Sequence, residues 1–218
     1  AIQYVRALER DIPKENISLN EKVVAIDLER HIVTTPKRDI KYDHLISTIP
    51  LVQLLPLCGI KVNESALSWN KVLVFNLGFD SLGPDIANHW IYFPEKKYCF
   101  YRVGFYSNII PSERMSLYVE IGFPNDAIVD EPKLLQETLE GLHSAGIITN
   151  QKLVSHHSVI MNPAYIHVSQ IGIQSVTKLK EKLSTYRVYS IGRYGSWNYS
   201  SIEDNMKEAI NLCATLLS

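Results

Sequence analysis

The stretch Gly192-Arg193-Tyr194-Gly195-Ser196-Trp197-Asn198-Tyr199 combines residue types that a ligand site needs. Glycines let the backbone approach a ligand closely. Arg193 offers a planar, permanently charged fork suited to phosphate. A helix expected to start at Ser200 would present N–H groups and a positive dipole end to an anion or an electron-rich ring edge. The same residues would also serve as a structural Gly turn with an exposed Arg. A second group is Trp90-Ile91-Tyr92, followed by Phe100-Tyr101-Arg102 and, further on, Ser107-Asn108. Period two puts Trp90 and Tyr92 on one strand face, and Phe100 and Arg102 on one face of the next strand. Aromatics beside one Arg suit rings and a diphosphate, although such aromatics can equally be sheet core. Tyr165, near Pro163 in irregular backbone, could offer a phenol to phosphate or sugar, or could be a core tyrosine.

The remaining candidates carry less chemistry. His156-His157 has neither helical spacing nor a carboxylate at metal-binding distance, and the other histidines are scattered, so no metal site is expected. Cys58, Cys99 and Cys213 are far apart and odd in number, which indicates reduced thiols and a cytoplasmic setting. No GxGxxG, phosphate-binding loop, GxSxG or HExxH occurs. A net charge of −1 over 218 residues gives no electrostatic case for nucleic acid or a polyanionic membrane surface. No apolar run approaches the roughly 20 residues that a membrane span requires.

The elements that must position these residues are alternating. Ile2, Val5 and Leu8 read as the end of a helix that began upstream, which suggests a chain cut from a longer protein. Strands are expected at 17–28, 31–35 and 39–49, the last ended by Pro50. A second strand-rich block covers 71–79, 90–93, 98–105 and 116–121. Helices follow at 131–145 and 173–183, with a strand at 152–159 between them. The tail reads strand (187–191), Gly turn, then helix from Ser200, where Glu203 three residues on suggests a capping box. The fold class is α+β.

The order of these segments resembles a known family. Tyr42-Asp43-His44-Leu45-Ile46-Ser47-Thr48-Ile49-Pro50 is similar to the segment closing the strand meander of the flavin-containing amine-oxidase superfamily. Four further segments resemble its UDP-galactopyranose mutase branch: His89 to Glu95, Phe100 to Asn108, Tyr165, and Gly192 to Tyr199. The resemblance runs along essentially the whole chain. It departs from the family pattern in lacking the GxGxxG that holds the FAD diphosphate, in the short Ser200–Asp204 segment, and at Asn198, where the family often has a basic residue.

The resemblance implies an FAD-dependent ring contraction of a nucleotide sugar, UDP-galactopyranose to UDP-galactofuranose, with reduced flavin as nucleophile. Arg102 and Arg193 would support catalysis by neutralising the diphosphate over one shared cleft. Trp90, Tyr92, Arg102, Asn108, Tyr165 and Tyr199 would bind substrate; Gly192, Arg193, Gly195, Ser196, Trp197 and Ser200 would contact the cofactor. It further implies that residues 1–57 belong to an FAD-binding domain, 58–185 form a substrate domain, and 186–218 return to the first. FAD is expected in the intact protein and not in this chain alone, whose own activity is expected to be lost. An oxidoreductase of the amine-oxidase or protoporphyrinogen-oxidase type, which shares the first and last motifs, is the competing expectation; the isolated chain could also be a non-catalytic fragment.

Overall fold

Residues 2–63 and 65–217 are described by a computed structural model; Ala1, where the amino-terminal helix reading begins, lies outside them, as do Glu64 and Ser218. The chain divides into two compact units, residues 1–66 with 168–218, and residues 67–167. The resemblance implies divisions at 57/58 and 185/186 instead. Among the described residues no helix is long and apolar enough to cross a membrane, and no group of three His, Cys, Asp or Glu side chains could hold a metal.

In the first unit, helix α1 (Ile2–Glu9) leaves Ile2, Val5 and Leu8 exposed. A three-stranded antiparallel meander follows: β1 (Ala25–Asp27), β2 (Ile32–Thr34) and β3 (Asp39–Lys41). Its register pairs Ile26 with Val33, and both are buried. These strands are shorter than the apolar runs suggested. The expected third strand is interrupted: β4 (Leu45–Ser47) leaves the meander and pairs in parallel with a strand near the carboxy terminus. Pro50 ends it as anticipated and caps α2 (Leu51–Leu57), which buries Leu51, Val52, Leu54 and Leu55. Proline is tolerated there because the first N–H groups of a helix have no intrahelical partner.

The second unit is one antiparallel sheet with a helix on one face. Its elements are β5 (Trp69–Phe79), β6 (Trp90–Tyr92), β7 (Arg102–Phe105), the short α3 (Tyr106–Ile109), β8 (Ser116–Pro124), α4 (Glu131–Ser144) and β9 (Leu153–Ile166). The strand order is β6-β7-β8-β5-β9. Alternation along β5 sends Leu73, Phe75, Leu77 and Phe79 to one face, where they pack with Leu117, Val119 and Ile121 of β8 and Leu142 of α4. Each such fully buried side chain contributes roughly 1.5–3 kcal/mol of transfer free energy. Helix α4 starts at Asp130, whose carboxylate accepts from the Lys133 N–H at 3.2 Å, with Pro132 in the first turn. It ends before Gly146, which takes a φ of +71°.

The chain then returns to the first unit. Helix α5 (Gln170–Thr185) is capped by Ser169, which accepts from the Gly172 N–H. Strand β10 (Val188–Ser190) pairs with β4, Val188 opposite Leu45 and Ser190 opposite Ser47. The turn beyond it forms one helical turn, α6 (Gly192–Gly195), and α7 (Ile202–Leu217) closes the chain. The α+β class stands.

Two local expectations change. The α7 capping box is formed by Ser201 and Asp204, not by Ser200 and Glu203: Ser201 Oγ accepts from the Asp204 N–H at 3.2 Å, and Asp204 accepts from the Ser201 N–H at 2.8 Å. The cap lies one residue later than the sequence pattern places it, and the helix itself starts at Ile202. Phe100 and Arg102 do not share a face either. Regular extension begins only at Arg102, Phe100 is buried in the core, and both Tyr101 and Arg102 lie against Glu120. Two residues opposite one, as in a β-bulge, cancel the alternation.

Candidate functional site

The sheet face opposite α4 carries the second unit's polar and aromatic side chains. Strand register aligns them in rows, because directly paired residues point to the same side. One row runs Tyr92, Arg102, Glu120, Val74; the next runs Trp90, Gly104, Tyr118, Asn76. Trp90 and Tyr92 share this face, as period two predicts, and are exposed, while Ile91 between them packs against the core.

Arg102 is the centre of a built cluster. Its Nη2 donates to Glu120 and its Nη1 donates to the Tyr92 hydroxyl at 3.2 Å. The guanidinium carbon lies 5.7 Å from the Tyr92 ring centroid and 5.8 Å from that of Tyr118, within cation–π range. Nε is buried and makes no hydrogen bond among the described residues. Burial opposes the Arg102 charge, but the hydrogen bonds to Glu120 and Tyr92 and the attraction of Glu120 outweigh it and raise the pKa. Glu120 is 5 % exposed and also accepts from the Tyr101 hydroxyl. Burial, then the hydrogen bond to Glu120, raise the Tyr101 pKa well above the usual phenol range. The Tyr165 phenol lies near enough to Tyr101 to add to that rise. The cluster thus brings together Arg102, Tyr92 and Tyr165 of the predicted residues. Asn108 does other work, its amide donating to Asn88 O at 2.8 Å and Asp85 O at 3.3 Å across the turn before β6.

In the first unit the Gly192–Tyr199 segment is held from behind. Glu208 of α7 accepts from the Gly192 N–H at 2.7 Å and from the Ser196 hydroxyl, and Lys180 of α5 bonds both Glu208 and Ser196. Burial alone would raise the Glu208 pKa; the bonds from Ser196, Gly192 and Lys180 overcome it and hold the carboxyl below its ordinary range. The Gly192 donor therefore faces a carboxylate and not a free anion site. Gly192 takes a φ of +82°, and a Cβ built there meets nothing within 4 Å, so the backbone is bare on that side. Gly195 is required for a different reason: its Cβ would lie 3.0 Å from Ser190 Oγ and 3.3 Å from Ser47 O. Arg193 stacks on Tyr199 at 4.3 Å and donates to Ser200 O at 3.5 Å. Trp197 is buried with a φ of +49°. Arg102 belongs to residues 67–167 and Arg193 to the other unit.

Sequence reasoning passed over Tyr101, Tyr118, Glu120, Lys180 and Glu208. A signal existed for one of them. Glu120 is a carboxylate inside the apolar run Leu117-Tyr118-Val119-Glu120-Ile121, and buried charges are paired.

The profile of a family described as flavin containing amine oxidoreductase matches residues 3–204. Among solved structures the chain is similar to a reduced UDP-galactopyranose mutase, with a TM-score of 0.78 and 24% identity over 89% of this chain and 45% of that one. It is also similar to a putative protoporphyrinogen oxidase from Exiguobacterium sp. 255-15 (TM-score 0.69, 16% identity, 88% and 46% covered). A CLA-producing fatty acid isomerase from P. acnes follows (TM-score 0.65, 14% identity, 91% and 48% covered). No curated protein matches the sequence. The chain spans less than half the length of these three structures, and at such identities the likeness is one of fold.

Proposed function

From the premise that the chain belongs to the flavin-containing amine oxidoreductase family, we propose that the protein is an FAD-dependent mutase acting on a nucleotide sugar, UDP-galactopyranose being the substrate its motifs suggest. The observation that carries this reading is the Arg102 cluster. A guanidinium fixed among Tyr92, Tyr118 and Glu120 on an aromatic sheet face suits a diphosphate with a sugar beside it.

The turn at Gly192 fits a flavin ring. Its bare backbone leaves room for a planar group, and the Glu208 carboxylate behind it would disfavour a phosphate there. Gly192 to Trp197 and Ser200 would hold the cofactor, which when bound and reduced supplies the nucleophile. Arg102 would bind the departing diphosphate and offset its charge; Tyr92, Tyr165 and Trp90 would orient phosphate and sugar. Arg193 and Tyr199, already stacked, would offer a cation and a phenol beside the turn.

One observation favours a second reading. Glu120 matches the charge of Arg102, so the cluster is close to neutral and favours a polyanion less than a lone guanidinium would, which suits an oxidoreductase of the amine-oxidase or protoporphyrinogen-oxidase type. The test uses the protein at its full natural length, carrying flavin and reduced with dithionite. Conversion of UDP-galactopyranose to UDP-galactofuranose is expected by chromatography. No conversion, together with oxygen uptake on amine substrates, would overturn the mutase reading in favour of the oxidoreductase.

A further inference from the structure

We infer that Glu120 is a positioning residue, whose carboxylate aims the Arg102 guanidinium at the anionic part of the ligand. This rests on reading Arg102 as the diphosphate contact.

The first argument is the cost of having Glu120 where it is. It stands mid-strand in β8 between Val119 and Ile121, both buried. A carboxylate taken out of water costs several kcal/mol unless it is paired and hydrogen-bonded. Val, Ile or Leu would satisfy the strand pattern without that cost. What compensates Glu120 is Arg102 Nη2 on one side and the Tyr101 hydroxyl on the other. A carboxylate only accepts, so with both donors in place its orientation is set.

The second argument is what this leaves on Arg102. A guanidinium has five N–H groups. One goes to Glu120 and one to Tyr92. The Tyr92 and Tyr118 ring centroids lie 5.7 and 5.8 Å from its central carbon. Two anchors and two rings fix a side chain that otherwise carries substantial rotamer entropy. The unused N–H groups then have one direction without a search at the moment of binding, and preorganisation of this kind raises affinity. The buried Nε, with no partner among the described residues, is a donor still to be satisfied.

The third argument is reach. Tyr101 donates to Glu120, and the Tyr165 phenol lies near both Tyr101 and Arg102. By holding Tyr101 as well as Arg102, Glu120 thus sets the surroundings of Tyr165, which lies 63 positions from Arg102 in the chain.

A purely structural Glu120, tying β7 to β8, would lower stability without touching one ligand group in particular. The test separates the two. Binding of UDP and of uridine is measured by calorimetry on the full natural-length protein with its flavin, for the wild type, E120Q, E120D and Y101F. The expected result is that E120Q weakens UDP at least about tenfold while leaving uridine within about twofold, that E120D restores part of the loss, and that Y101F weakens UDP by about threefold. Should E120Q fail to fold, Y101F, which keeps the carboxylate, decides alone. The inference is overturned if E120Q binds UDP as the wild type does, or loses UDP and uridine equally. If the wild type itself binds UDP no better than uridine, the diphosphate reading of Arg102 fails first, and the role of Glu120 falls with it.

Discussion

At Gly104 the missing side chain is what lets Tyr118 lie across β7. A Cβ there would sit 2.0 Å from Cε1 and Cζ of the Tyr118 ring, so Gly104→Ala must push the ring off its place beside Arg102. The expected cost is about 1–3 kcal/mol, seen as a lower Tm; an unchanged Tm would mean that Tyr118 swings aside freely. Glu208 gives a pH-dependent prediction. Its folded pKa lies below the ordinary 4.5, so the unfolded state binds the proton more readily. The stabilisation it provides is therefore complete above about pH 4.5 and disappears as pH falls through the lower folded value. Thermal melts of wild type and Glu208→Gln should differ most near pH 7 and converge in acid. A difference independent of pH would show that the Glu208 charge is not what holds the Gly192 turn.

Among the elements, α7 depends on its capping box. Ser201→Ala removes the acceptor of the Asp204 N–H and should cost about 1 kcal/mol, read as lost helical signal and a lower Tm; Ser200→Ala should have little effect on the helix. An equal effect of the two would return the cap to Ser200. Much of the element order was legible because burial imposes periodicity. β5 and β8 read as strands from their aromatic and β-branched residues, and α4 as a helix at nearly its observed bounds. β9 was read too short, since Pro163 looks like a stop. It is the outermost strand of its sheet, where a residue without an N–H need not break the ladder. α2 went unread: four of its seven residues are fully or nearly buried, and an apolar run that short has no distinguishing period.

For the molecule as a whole, the chain enters and leaves residues 67–167 at one place. Trp69 pairs with Ile166, and the His167 N–H donates to Ser68 O at 2.9 Å. With adjoining ends and its own apolar core, the 67–167 segment should fold alone. Circular dichroism of that fragment should show a single cooperative melt; a gradual, featureless one would mean that the sheet needs the other unit.

The sequence by itself determined the α+β class, the alternating strands and the identity of Arg102, Tyr92, Tyr165 and Arg193 as residues suited to ligands, since period and residue chemistry are local properties. Only tertiary structure decided that Arg102 faces Glu120, that Tyr101 bonds Glu120 beside Tyr165, and that Glu208 takes the Gly192 N–H. Those pairings depend on strand register, on a local break in alternation and on helix packing, which bring together residues 16 to 64 positions apart, and no local pattern encodes which distant partner a buried charge will meet.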